Sequence, residues 1–167
     1  LLDNSPLREL LARELDFSGI HAAVARRKLR AIAVSAFGYE SGQSASFYQG
    51  RATIDPWFRH RRVGVPTRLN LEHLMASTAI PLIFPPVKVN REYFGDGAVR
   101  QLASISPALH LGATKVLVVG VSGNPQNGAP QPEVLRSKSL HSPSLAQISG
   151  HMLNSTFVDS LEGDIEL

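Results

Sequence analysis

The chain's 167 residues, 43% of them hydrophobic and 19% charged, suit one globular domain able to bury a sizeable core. Its 17 basic and 14 acidic side chains leave a surplus of +3, too small to argue for a nucleic-acid partner. The absence of cysteine excludes disulfides and cysteine-ligated metals and fits a reducing, cytoplasmic compartment, and no apolar run approaches the roughly 20 residues of a membrane span.

Three Ser-Pro pairs punctuate the chain, at Ser5-Pro6, Ser106-Pro107 and Ser142-Pro143. Each joins a capping hydroxyl to a proline whose missing N–H costs nothing in a first helical turn. After the first, Leu7, Leu10, Leu11 and Leu15 recur at helical spacing. Ser18 opens a second short helix with Ile20, Ala23 and Val24 inward, ending at Arg26-Arg27-Lys28. Leu29–Phe37 reads as a strand buried on both faces, turned at Gly38–Gly42 and paired with Ser44–Tyr48. Asn70 caps a helix through Leu71, Leu74 and Met75 that must stop near Ile80-Pro81. Val87 and Val89 alternate as in a strand. Ser106–Leu111 is one or two helical turns closed by Gly112, and Lys115–Val121 reads as a buried strand. Helix, strand and loop in this order give the α/β cadence. Asn124–Pro132 is a loop, and from Pro143 the residues Leu145, Ile148, Met152, Leu153, Phe157 and Leu161 mark a long amphipathic helix.

Two basic clusters stand out, Arg26–Arg30 and Arg59–Arg62, the second beside Trp57 and Phe58. The first suits a solvated helix C-terminus. In the second, Trp57, Arg59, Arg61 and Arg62 could be a solvated face or could meet an anionic lipid surface with the indole at the interface. Gly64-Val65-Pro66 closes this loop.

The most informative stretch is Glu92–Arg100, with Asp96 between Gly95 and Gly97. Glycine on both sides permits positive φ and close approach of other backbone or of a substrate. Local chemistry leaves two roles for the carboxylate, capping its own turn or acting in catalysis. The preceding segment Ile80–Pro86 could be core with a stiff turn, or Ile80, Leu82 and Phe84 could line an acyl pocket.

Taken together, Ala76-Ser-Thr-Ala-Ile-Pro-Leu-Ile-Phe-Pro-Pro86, Phe94-Gly-Asp-Gly-Ala98 and Ser106–Gly120 resemble, in order and spacing, the second half of the catalytic domain of the patatin-like phospholipase family. The likeness runs from about Ser5 to the end. It implies a three-layer α/β fold and a single partial domain over residues 1–167 that lacks the N-terminal strand, elbow and helix. It also implies an acyl hydrolase that uses a Ser–Asp dyad, needs no cofactor, and acts on lipid carboxylic esters. The family's aspartate, in an Asp-Gly-Gly or Asp-Gly-Ala turn, maps onto Asp96-Gly97-Ala98. Its serine lies in a Gly-x-Ser-x-Gly elbow and its oxyanion donors in a glycine-rich loop, both upstream.

No serine of the 167 residues has glycine two positions before and two after it. Gly120-Val-Ser-Gly123 follows a strand-like run but leads into Asn-Pro-Gln-Asn, which no helix N-terminus can follow. No two of His21, His60, His73, His110, His141 and His151 have the i, i+4 spacing of a helical zinc site. The expectation is therefore that this chain supplies Asp96 as the base and that an upstream segment supplies the serine. The alternative is a member of the same fold that has lost its nucleophile and serves as a lipid- or partner-binding module.

Overall fold

The computed structural model of the chain describes residues 1–100 and 105–119. Its first two helices, α1 (Ser5–Glu14) and α2 (Ser18–Ala25), begin in the same way. Asp3 Oδ1 accepts from the backbone N–H and hydroxyl of Ser5 at 2.9 and 2.7 Å, and Asp16 Oδ1 accepts from those of Ser18 at 2.8 and 2.6 Å. The expected capping hydroxyl of Ser5 is thus a donor inside the first turn, and the acid two residues earlier supplies the acceptor. Those serine hydrogen bonds hold both carboxyls below their ordinary range.

Six strands follow: β1 (Ala31–Gly38), β2 (Ser44–Gly50), β3 (Trp57–Arg59), β4 (Arg62–Pro66), β5 (Val87–Val89) and β6 (Glu92–Asp96). They form one mixed sheet in the order β3-β4-β2-β1-β6-β5. β1 and β2 make the expected antiparallel hairpin, with Ala31 opposite Gly50 and Phe37 opposite Ser44. The basic segment expected as a loop is instead the hairpin β3–β4, and β4 runs parallel to β2 with Ser46 opposite Gly64. Helix α3 (Leu71–Ser77) starts as expected at Asn70, whose side chain accepts from Glu72 N–H at 3.1 Å while His73 Nδ1 accepts from the Asn70 N–H at 3.2 Å.

Alternation along the strands sorts the sheet's two faces. Val34 and Ala36, Ala45 and Phe47, Val63 and Val65, and Phe94 share one face, where they pack with Met75, Ala76, Ala79, Val87 and Val89. Leu7, Leu11, Phe17 and Ile20 bring α1 and α2 against the same core. The other face carries Ser35, Ser46 and Tyr48, with Ser35 Oγ and Ser46 Oγ 3.2 Å apart. Helix α4 (Ser106–His110) lies on this second face, its His110 ring stacked on Trp57 at 4.7 Å and its end tied to the residue before β1 by Arg30 Nε donating to Leu111 O at 2.7 Å. Gly112 closes α4 with φ +90°, as expected of a helix C-terminal glycine.

Two further expectations are corrected. β1 is not buried on both faces: its first residues are half-buried and Ile32 is exposed. The cause is a missing neighbour, because β6 pairs with β1 only at Ala36–Gly38. Lys115–Val119 is not a strand, and Leu117 and Val119 are 89% and 82% exposed. An apolar run becomes a buried strand only when a ladder partner takes its N–H and C=O groups, and none stands beside it among the described residues. The expected continuation through Val121, the Asn124–Pro132 loop, Ser142-Pro143 and the helix after Pro143 lie outside the described residues.

Candidate functional site

Asp96 is the last residue of β6 and stands opposite Ala36, on the core face of the sheet. Its backbone N–H donates to Ala79 O at 2.9 Å, which fixes the strand end to the segment after α3. Its Oδ1 accepts from the Ala98 N–H at 2.8 Å, so the acid caps its own turn. Among the described residues Oδ2 accepts no hydrogen bond. Burial pushes the carboxyl above the ordinary carboxylate range, against the smaller opposing pull of the Ala98 N–H. The turn role and a half-buried carboxylate of raised pKa therefore coexist in one side chain.

The flanking glycines serve space rather than dihedral freedom. Neither Gly95 nor Gly97 is among the described residues with positive φ. A Cβ on Gly97 would sit 2.4 Å from Ser35 O, and one on Gly95 would sit 2.3 Å from the Tyr39 hydroxyl. Tyr39, from the β1–β2 turn, thus leans against the acid's strand. Its phenol is pushed above its usual value by burial first and by the Asp96 charge second.

Asp96 opens onto a hollow of about 590 Å³, within the size range of small-molecule sites. Its walls come from Ala33, Val34 and Ser35 of β1, Leu74 and Ser77 of α3, Gly97 and Ala98, and Pro107, Ala108 and Leu111 around α4. It occupies the place beside Ala31–Ser35 on the side of β1 away from β2, where, among the described residues, β6 no longer reaches and no other strand stands. The hollow is therefore a gap at the edge of the sheet, with α3 on one side, α4 on the other and a carboxylate at its end. Two hydroxyls, Ser35 and Ser77, share it, and neither is hydrogen-bonded to Asp96.

Of the sequence-derived candidates, Asp96, Gly97 and Ala98 come together in this hollow. Ile80, Leu82 and Phe84 do not line it; Ile80 and Phe84 are half-buried elsewhere and Leu82 is 75% exposed. The residues after α3 turn away because Ile83 and Phe84 N–H both bond back to Ile80 O, a tight bend that throws Leu82 outward at φ 67°. A leucine is costly in that region of backbone space and gains no burial here. Leu82→Gly is expected to raise stability by about 0.5–1 kcal/mol in a thermal or urea melt, the left-handed strain relieved exceeding the added chain entropy.

Trp57 does not present its ring to the surroundings as an interfacial anchor. It is half-buried in a stack of three rings, parallel to Tyr48 at 5.2 Å and to His110 at 4.7 Å. Alternation along β3 turns its neighbour outward instead, and Phe58 is 68% exposed beside the exposed Arg59 and Arg61; Arg62 is half-buried. Sequence reasoning missed Ser35, Tyr39, Ser77 and the α4 residues as neighbours of Asp96. Ser77 lay inside the quoted Ala76–Pro86 segment, whereas nothing local marks Ser35 or Tyr39.

Compared with protein-family models, residues 1–109 match that of the patatin-like phospholipases. The chain belongs to the patatin-like phospholipase family. Comparison with curated proteins and with solved structures gave no match. The matched region of this patatin-like chain contains every described strand and the Gly95–Ala98 turn. Membership places the chain among lipid hydrolases in general. Among the described residues no helix is long and apolar enough to cross a membrane.

Proposed function

We propose that the chain is the acid-bearing part of a patatin-type lipid acyl hydrolase, a single three-layer α/β domain whose nucleophilic serine comes from outside residues 1–167. The observation that carries this reading is Asp96 itself: a half-buried carboxylate with raised basicity, one oxygen accepting no hydrogen bond among the described residues, facing a gap at the edge of the sheet. A gap beside β1, walled by α3 and α4, is the place for a further strand bearing an elbow serine at its end. Among the described residues Lys115–Val119 has no strand neighbour, and its exposed apolar side chains fit a sheet that further strands complete.

In the reaction, the serine Oγ attacks the ester carbonyl of a phospholipid or lysophospholipid while its proton passes to Asp96. The tetrahedral intermediate collapses, the C–O bond to the alcohol breaks, and Asp96 returns the proton to the leaving oxygen. Water then attacks the acyl-enzyme, again giving a proton to Asp96, and the fatty acid leaves as the serine is reprotonated. A carboxylate near its ordinary pKa of about 4 is a weak base for a hydroxyl, so burial of Asp96 serves the chemistry directly. No cofactor enters any step. Peripheral contact with an anionic, cytoplasmic membrane surface would use the exposed Phe58 and the arginines at the tip of β3–β4.

Residues 1–167 alone are expected not to react with a fluorophosphonate probe, and a polypeptide extended upstream of Leu1 is expected to label on its added serine. Robust esterase activity from residues 1–167 by themselves would overturn the proposal. The lack of a Gly-x-Ser-x-Gly elbow here also favours a second reading, a lipid- or partner-binding module of the same fold. An extended polypeptide that binds vesicles but never labels would establish that reading instead.

A further inference from the structure

The hairpin β3–β4 places two arginines directly opposite one another. Arg59 pairs with Arg62 across a turn made by His60 and Arg61, so their side chains leave the same face of the ribbon. Trp57, two residues before Arg59, shares that face, and Gly64 opposite it has no side chain: a Cβ there would lie 2.2 Å from the indole. The space left by Gly64 lets the indole lie flat between Tyr48 and His110. His110 is thereby brought into the field of both guanidiniums. Its imidazole is held below the usual value by burial first, then by Arg59 and Arg62.

Like charges set directly opposite on a ribbon destabilise it. Here no carboxylate offsets them: among the described residues the ion pairs are Arg8–Glu72 and Arg13–Glu14, far from this hairpin in sequence. Asp55, the acid nearest in sequence, precedes Trp57 and forms no ion pair with either arginine. Two guanidiniums and an imidazole beside a stack of rings, with no ion-pair partner among the described residues, have the donor chemistry of an oxyanion cradle.

We propose that Arg59, Arg62 and His110 form a binding site for a phosphate group, either free inorganic phosphate or the phosphodiester of a lipid headgroup. The guanidiniums supply charge-assisted N–H donors, and His110 adds a ring N–H. Bound phosphate relieves the Arg59–Arg62 repulsion and joins the hairpin to α4. That helix also walls the hollow beside Asp96 through Pro107 and Ala108, so occupancy of the cradle steadies one side of the hollow. The site stands independently of the acid's role in catalysis.

Trp57 is the only tryptophan of the sequence, so its fluorescence reports on the cradle alone. The chain is titrated at low ionic strength with sodium phosphate, with sodium chloride at matched ionic strength, and with phosphatidylcholine vesicles with or without phosphatidylglycerol. The expected result is a saturable change in Trp57 emission with phosphate or with anionic vesicles and none with chloride. A response to phosphate alone assigns a free-phosphate site; a response to anionic vesicles alone assigns a headgroup site. The double variant Arg59→Gln/Arg62→Gln is expected to weaken either response at least tenfold while its circular-dichroism melt stays at or above that of the parent. Arg26→Gln, changed at the exposed end of α2, is expected to keep the response. Absence of any saturable change, an equal response to chloride, or an undiminished response in the folded double variant overturns the proposal.

Discussion

Replacing Asp96 by asparagine is expected to lower ester hydrolysis by the serine-bearing enzyme roughly 10²–10⁴-fold, the range for loss of a positioned general base. The substitution is suited to isolating chemistry from folding. Asparagine keeps an oxygen for the Ala98 N–H, now 2.8 Å from Asp96 Oδ1, and the backbone N–H still reaches Ala79 O. Only the capacity to take a proton disappears. The same change is expected to leave stability at pH 7 unchanged or raised. Burial lifts the folded-state pKa of Asp96, so the folded form holds its proton more tightly than the unfolded chain does. The stability contributed by the native carboxyl is therefore complete below the unfolded value near 3.9 and is lost as pH rises through the raised folded value. Asparagine has no such loss. Thermal melts of the two proteins at pH 4 and pH 7 should show Asp96→Asn gaining on the parent as pH rises. A variant that keeps full turnover, or that falls behind the parent with rising pH, would remove Asp96 from the base role.

Gly97→Ala is expected to cost about 1–3 kcal/mol, the usual range for forcing a methyl into filled space. For a chain of this length that corresponds to a fall of roughly 2–12 °C in the melting midpoint, at ~2–4 °C per kcal/mol. The methyl would lie 2.4 Å from Ser35 O and 2.7 Å from Ser35 C, and both atoms belong to the backbone of β1. That strand is hydrogen-bonded to β2 along Ala31–Phe37, so it has little freedom to retreat. Relief must come from the Asp96–Ala98 turn, which displaces the carboxylate and lowers activity together with stability. Gly95→Ala is the contrasting case. Its new methyl meets the hydroxyl end of Tyr39, a side chain on a turn that can swing aside. A smaller loss for Gly95→Ala than for Gly97→Ala, read in parallel melts, checks the argument; the reverse order would contradict it.

These two glycines also show where the sequence was legible and where it was not. Bracketing an acid with glycines announced a tight place, and tightness is what the structure has. Positive φ, the other reading of the same letters, is found at Gly42 and Gly112 instead. Composition names the residue that fits a special position but not which constraint, dihedral or contact, makes the position special. The Ile80–Phe84 segment failed as a pocket wall for a related reason. Its apolar residues were assigned to the acid by proximity in sequence, whereas the bend at Ile80 turns them from it.

What the amino-acid order determined by itself is local. The helix starts at Ser5 and Ser18, the Asn70 cap, the turn that joins β1 to β2, the Gly112 helix end and the Asp96 turn each depend on residues within a few positions of one another, so their energetics are complete in a short window. The family, too, was readable, because several such windows occur in a characteristic order. Only the tertiary structure decided that β4 lies parallel to β2, that His110 covers Trp57, and that Asp96 faces a gap between α3 and α4. Those outcomes depend on which backbone groups and ring faces find partners far along the chain. Lys115–Val119 shows the same rule from the other side: its apolar letters are those of a strand, but a strand exists only where a neighbour completes its hydrogen bonds.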